Sequence, residues 1–315
     1  MAELAVFAQG LTKCFGPVCA CEGIDLAVAP GEVVGLVGPD GAGKTTTFRM
    51  LCGILPPDHG SAFVAGYDAV GQPEAVKARI GYLPQRFSLH RDLTIDENIK
   101  YTAELYTVPR DQWQSRREEL LEMTYLAPFR RRLAGRLSGG MRQKLALVCT
   151  LIHRPEVLFL DEPTSGVDPN ARRAFWELIY AVVAEGVTAL VTTHYMDEAE
   201  YCSRVGIMRQ GKLLAIDSPS ALKEQALPGL AWDVFAEPLL PALAVLVRCP
   251  RVLRAGLAGD HLRAITLKDV PAAELEQALA QAGMVARQIE LVEPTLEDVF
   301  LALAKTREGE VEALG

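Results

Sequence analysis

The sequence predicts an α/β protein built on a mostly parallel sheet, followed by a smaller α+β unit. Three stretches carry that prediction. Val33-Val34-Gly35-Leu36-Val37 is an apolar run too short for a helix; the glycine-rich Gly38 to Thr46 follows it, and a helix-forming run to Cys52 comes next. Val157 to Leu160 reads as a second buried strand, closed by the carboxylates Asp161 and Glu162. From about residue 228 the pattern restarts as strand, helix, two strands, helix, strand, the order of a ferredoxin-like domain.

Composition limits what such a chain can be. Its 315 residues, half of them apolar, allow one large domain, or one with a smaller companion. The longest uncharged apolar stretches, such as Leu145 to Ile152, fall far short of a bilayer span. Met1-Ala2-Glu3-Leu4 places no basic region ahead of an apolar one. We therefore expect a soluble, intracellular chain that reaches a membrane only through a partner. The net charge of −8 argues against general binding of nucleic acid. Seven cysteines include Cys14, Cys19 and Cys21 close together, but no second Cys/His pair gives zinc spacing, so reduced thiols are expected.

Taken in order, residues 4–37 alternate apolar segments with turns at Cys14-Phe15-Gly16-Pro17 and Ala29-Pro30-Gly31, as antiparallel strands leading into the central one. Gly38-Pro39-Asp40-Gly41-Ala42-Gly43-Lys44-Thr45-Thr46 fits G-x-x-x-x-G-K-[ST] between a strand and a helix. Such glycines let consecutive N–H groups turn inward on an anion, and the helix points its positive end at the same spot. Lys44 would reach the β- and γ-phosphates and Thr45 would offer a hydroxyl to Mg²⁺, so a nucleoside triphosphate is expected here.

Pro56-Pro57-Asp58-His59-Gly60 breaks the chain; Ser61 to Val64 and Ile80 to Leu83 read as strands around a helical Pro73 to Arg79. Gln85 then lies just past a strand's C-terminal end, where ligands of α/β sheets bind. From Phe87 to Arg136 the texture is helical and charged, opening on the capping box Thr94-Ile95-Asp96-Glu97, and reads as an inserted helical subdomain. Leu137-Ser138-Gly139-Gly140 starts the next helix and makes a second end suited to an anion. Asp161 suits coordination of Mg²⁺, and Glu162 a general base or water-orienting carboxylate. Asp168 and Pro169 read as N-cap and first position of a helix ending near Gly186. His194 closes the strand from Val187 to Thr193, at the same sheet edge as Asp161 and Gln85. Val205 to Asp217 reads as a hairpin, and beyond it come the βαββαβ elements and a capped helix from Thr295 to Ala304. The domains expected are thus 1–227 with its helical insert at about 87–136, then 228–304, then a flexible tail at 305–315.

Over about residues 4–222 the chain resembles the ATPase subunit of an ATP-binding-cassette (ABC) transporter. In order it matches the aromatic loop (Phe15), Walker A (Gly38 to Thr45), Q-loop (Gln85), signature (Leu137 to Gly140), Walker B (Val157 to Asp161) with Glu162, D-loop (Asp168) and H-loop (His194). Within that family it looks most like the ATPases of type-2 bacterial exporters, the daunorubicin-resistance and multidrug-efflux group. The stretches that suggest this are the Walker A run, Phe87 to Thr94, and Glu293-Pro294-Thr295-Leu296-Glu297-Asp298-Val299-Phe300. The resemblance implies a P-loop NTPase fold: a RecA-like core with an antiparallel β subdomain, an inserted helical subdomain and a small C-terminal ferredoxin-like domain. It implies ATP and Mg²⁺ as ligands. Phe15 would stack on adenine. Gly38, Pro39, Asp40, Gly41, Ala42, Gly43, Lys44, Thr45 and Thr46 would hold the phosphates, and Thr45, Gln85 and Asp161 the metal. Glu162, His194, Gln85 and Lys44 would act in hydrolysis, with Ser138, Gly139, Gly140 and Asp168 supplied to the partner's site in an ATP-bound homodimer. Transmembrane permease subunits would dock beside Gln85 and Phe87 to Leu93 at the inner face of the membrane, with a periplasmic adaptor reached through them. Three positions depart from the family pattern: Asp40 for Asn, Met141 for the signature Gln, and Phe15 for Tyr. A cassette ATPase acting on ribosomes or DNA is the alternative. Such proteins usually carry two cassettes, coiled-coil arms or zinc-binding insertions, none of which is seen here.

Overall fold

The computed structural model describes residues 4–85, 89–227 and 229–303. The segment expected at 305–315, and Phe87 and Ser88 of the expected docking run, lie outside them. Contacts divide the chain into two compact units, Met1–Ser218 and Pro219–Gly315.

The first unit opens on a long hairpin, β1 (Val6–Phe15) and β2 (Val18–Val28), then β3 (Val33–Val37), α1 (Lys44–Leu51), β4 (His59–Val64), β5 (Tyr67–Asp68), α2 (Pro73–Lys77) and β6 (Ile80–Leu83). Helices α3 (Ile95–Leu105), α4 (Arg110–Met123) and α5 (Gly139–Leu151) follow. The unit continues through β7 (Val157–Asp161), α6 (Pro169–Ala184), β8 (Thr188–Thr193), α7 (Met196–Ala199), β9 (Arg204–Arg209) and β10 (Lys212–Asp217). Strands β2, β1, β4 and β5 form one antiparallel sheet. The second has the order β10-β9-β3-β8-β7-β6, parallel except for β10 at its edge. All five residues of β3 and of β7 are buried, as an apolar run covered on both faces must be. Phe48 of α1 meets Phe159 of β7 edge-on with ring centroids 5.2 Å apart, inside the cluster that joins the two sheets through α1.

The local signals act as their chemistry requires. Thr94 and Glu97 close a reciprocal capping box at the start of α3, and the Asp168 carboxylate accepts from the Ala171 N–H ahead of α6. The two-residue strand β5 was not foreseen. The expectation that every thiol is reduced is overturned. Cys14 and Cys19 are cross-strand partners on either side of the tight Phe15-Gly16-Pro17 turn, with Cα atoms 3.8 Å apart, and they form a disulfide. Cys21, Cys52, Cys149, Cys202 and Cys249 are free.

The second unit holds α8 (Pro219–Ala226), β11 (Gly229–Glu237), α9 (Leu239–Arg248), β12 (Val252–Ala258), β13 (His261–Leu267), α10 (Ala272–Gln281) and β14 (Val285–Val292), then a helical segment at 296–303. Its antiparallel sheet has the order β12-β13-β11-β14, the ferredoxin-like arrangement of a βαββαβ chain. Trp232, Val234, Leu246, Leu262 and Leu275 lie in its core.

Candidate active site

The glycine-rich loop leaves β3, which lies hydrogen-bonded between β8 and β9, and it is squeezed by its neighbours. A side chain at Gly38 would put its Cβ 2.2 Å from the Met208 carbonyl oxygen. At Gly43 it would lie 2.4 Å from the Ala20 carbonyl, on a backbone with φ +103°. Only glycine fits either place. The loop thereby wraps a cavity of about 410 Å³ lined by Asp40, Gly41, Ala42, Gly43, Lys44, Thr45 and Thr46 with Ala20, Gln85 and Glu162. Helix α1 begins at Lys44, so its positive end opens on the same space.

Two charged networks meet there. Lys44 is 4% exposed; its Nζ donates to the carbonyls of Gly38 (2.7 Å) and Pro39 (3.1 Å) and lies 3.4 Å from Glu162 Oε1. Gln85 Nε2 donates to Glu162 Oε2 at 2.9 Å, and His194 Nδ1 lies 3.2 Å from the same oxygen. Asp161 faces elsewhere: its Oδ1 accepts from Thr45 Oγ1 at 3.0 Å and from Thr192 Oγ1 at 2.6 Å, and its Oδ2 from the Tyr82 hydroxyl at 3.3 Å. Burial, with the Asp161 charge second, pushes the Tyr82 phenol up to about 12, which keeps it a donor. The structure thus brings Lys44, Thr45, Gln85, Asp161, Glu162 and His194 to one place.

Other expected residues stand apart from that cavity. Phe15 is 54% exposed on the hairpin turn, with Lys13 Nζ 5.9 Å from its ring centre. Ser138 caps α5 by accepting from the Met141 N–H, which the backbone donates whatever side chain stands at 141. A Cβ on Gly140 would lie 3.4 Å from that of Ala171, so the start of α5 adjoins the first turn of α6 that Asp168 caps. Ser138, Gly139, Gly140 and Asp168 thus belong to a separate surface, off the cavity of their own chain.

Sequence reasoning missed three contributors, Thr192, Tyr82 and Glu198, and gave Asp40 a place on the phosphate loop only. Thr192 and Tyr82 both bind Asp161, and the only signal was a hydroxyl inside an otherwise apolar strand. Asp40 joins Glu162 and His194 in a set whose ligand atoms all lie within 4.8 Å of one another. Glu198 is fully buried, held above the usual carboxylate range by desolvation, and accepts from Thr164 and from Thr193 (2.8 Å) with Arg172 Nε at 3.2 Å. It ties the loop after Glu162 to the end of β8, where His194 begins. Chemically, the site offers hard oxygen donors for a divalent cation, a cationic loop for phosphate, and a buried carboxylate held from three sides.

A family model for the ABC transporter matches residues 21–165. The daunorubicin resistance ATP-binding protein DrrA3 of Streptomyces coeruleorubidus is 37% identical over 313 residues, covering 96% of each chain. The chain belongs to the family of ABC transporter ATP-binding proteins. The probable multidrug ABC transporter ATP-binding protein YbhF of Escherichia coli K12 is 40% identical over 307 residues, 96% of this chain. The chain spans only about half of that relative's length, 52%. Among solved structures, an ATP binding subunit of an ABC transporter aligns with a TM-score of 0.65 and 28% identity, covering 71% of this chain and 93% of the other. The ABC fold expected from the sequence is thereby met. No helix among the described residues is long and apolar enough to cross a membrane.

Proposed function

We propose that this chain is the ATP-binding and ATP-hydrolysing subunit of an ABC exporter of the drug-efflux group. One observation carries the reading: Lys44, Gln85 and His194 converge on Glu162 beside a loop-lined cavity, while Asp161 faces Thr45. ATP would place its phosphates inside Gly38 to Thr46, and Phe15 would stack on the adenine. Lys44 would turn from its own loop carbonyls to the β- and γ-phosphates. The donor set fits Mg²⁺, being Thr45, Asp161 and Gln85 oxygens with no thiol or imidazole among them. That ion would neutralise charge on the phosphate oxygens. Glu162 would orient and deprotonate the attacking water, and Gln85 and His194 would fix the carboxylate that does so.

Ser138, Gly139, Gly140 and Asp168, which lie off their own chain's cavity, would complete the site of a second copy. ATP would close that homodimer and hydrolysis would open it, provided the two states differ in affinity for the nucleotide. Separate permease subunits would receive the motion at the inner face of the membrane. The names of the relatives support a transporter over a cassette ATPase acting on ribosomes or DNA.

Glu162→Gln tests the reading. The amide keeps the shape but cannot take a proton, so ATP should still bind while turnover falls about 10²–10⁴-fold. A dimer should then accumulate with ATP on size-exclusion chromatography. Hydrolysis at the parent rate would remove Glu162 from its role.

A further inference from the structure

Glu162, His194 and Glu198 sit on one closed circuit of contacts. From Glu162 the chain runs through Pro163 to Thr164, whose hydroxyl donates to Glu198 Oε1. Glu198 Oε2 accepts from Thr193 Oγ1 at 2.8 Å. His194 is the next residue, and its Nδ1 returns to Glu162 Oε2 at 3.2 Å. Thr193 Oγ1 also accepts from the Tyr195 N–H at 3.0 Å, so one hydroxyl brackets His194 from both sides. Thr164, Thr193 and Glu198 are each at most 1% exposed, whereas the His194 side chain is 32% exposed. The imidazole is thus the one partly open member of an otherwise buried circuit.

A carboxylate is a costly side chain to place at the far point of this circuit. Burying one is unfavourable unless it is both paired and hydrogen-bonded, and apolar packing would do for a purely structural contact. Glu198 has both kinds of partner. Its two oxygens each take a hydroxyl, and Arg172 Nε lies 3.2 Å from Oε1. Arg172 belongs to the first turn of α6, where its N–H donates to the Asp168 carbonyl at 2.9 Å. Its guanidinium also lies over the Tyr195 ring, 3.9 Å from the ring centre. Two acceptor oxygens on one carbon are what allow a single side chain to hold both threonines. One threonine stands two residues after Glu162 and the other directly before His194.

We propose that Glu198 is a positioning residue for hydrolysis: by holding Thr164 and Thr193 at once it sets His194 against Glu162, with Arg172 balancing its charge. The inference rests on the function proposed above, in which His194 fixes the carboxylate that acts on water.

The test is a cycle of variants read by phosphate release from the full chain. Glu198→Gln keeps the shape but turns one acceptor into a donor and removes the charge facing Arg172. Its kcat should fall about 10- to 100-fold, the scale of a misplacement of about 1 Å, while KM and ATP affinity hold. In a His194→Ala background the same substitution should cost less than about twofold, because the group it positions is already gone. A full loss in that background, as a merely structural role would give, overturns the proposal, and so does an unchanged kcat in the single variant. Thr193→Val removes only the hydroxyl and should reproduce the loss, and Thr193→Ser should restore turnover. This pair carries the test if Glu198→Gln fails to fold by circular dichroism, and equal turnover in the two overturns the proposal. Parent-rate hydrolysis by Glu162→Gln or His194→Ala would overturn the function proposed above together with this inference. Loss in those two with none in Glu198→Gln or Thr193→Val overturns this inference alone.

Discussion

Asp161 and Glu162 are neighbours in sequence but serve two separate networks, and the backbone between them is the reason. Glu162 has φ +49°, a left-handed conformation that costs a non-glycine residue on the order of 1 kcal/mol. It turns one carboxylate toward Thr45 and Thr192 and the other toward Lys44, Gln85 and His194. Asp161 depends on Thr192 for its shortest hydrogen bond, 2.6 Å, in a fully buried setting. Thr192→Val should therefore lower the stability of the first unit by about 1–3 kcal/mol, read from urea unfolding. An unaltered midpoint would show that the hydroxyl does not hold Asp161. The two carboxylates were legible because acids at the end of an apolar strand stand out. Thr192 was not, since a threonine inside a strand is ordinary; only the register Asp161↔Thr192 between β7 and β8 makes it a partner.

At the scale of elements, α5 is moored to β6 through a histidine that sequence reasoning passed over. His153 follows the last turn of α5, sits 2.9 Å from the Ile80 carbonyl through Nε2 and stacks on Tyr106 with ring centroids 3.8 Å apart. Its Nδ1 is buried with no partner, so a second proton there would be an unmet buried donor. Burial accordingly lowers the His153 pKa, with the Ile80 carbonyl opposing. A folded-state pKa below the unfolded value means that this contribution is intact above roughly pH 6.5 and is lost as pH falls toward the folded pKa. Urea unfolding at pH 7.5 and 5.5 should show that loss, up to about 1.4 kcal/mol per pH unit. In His153→Phe, which keeps the stacking, this component should vanish; an equal pH slope in both proteins would contradict the assignment. Most helices and strands were legible from periodicity and capping, as at Thr94 and Asp168. Strand β5 has two residues, too few for any period, and the Cys14–Cys19 bond follows from a cross-strand register that spacing alone does not reveal.

At the scale of the whole molecule, half of the proposed site lies away from the other half on one chain. Ser138 and Asp168 cap adjoining helices and line none of the cavity that Lys44 and Glu162 line. Ser138→Arg should therefore leave ATP affinity unchanged at low protein concentration, while blocking dimer formation and lowering turnover by about 100-fold or more, as removal of a site-completing donor does. Weaker binding by the isolated variant would place Ser138 in its own chain's site instead. The order of motifs along the sequence announced both halves, because each is a local turn with a helix behind it. Their separation in space was expected from the family resemblance and not from the local residues, since it depends on which edge of the sheet each helix leaves.

The ion pair between Lys44 and Glu162 has a further consequence. Both groups are nearly excluded from water, at 4% and 6% exposure, so neither charge is comfortable without the other. A triphosphate entering the loop would draw the ammonium away and strip the carboxylate of its counter-ion. Glu162 would then be held by its counter-ion at rest and freed from it only while substrate occupies the loop. The proposed base carries its own safety catch, and the substrate is what releases it.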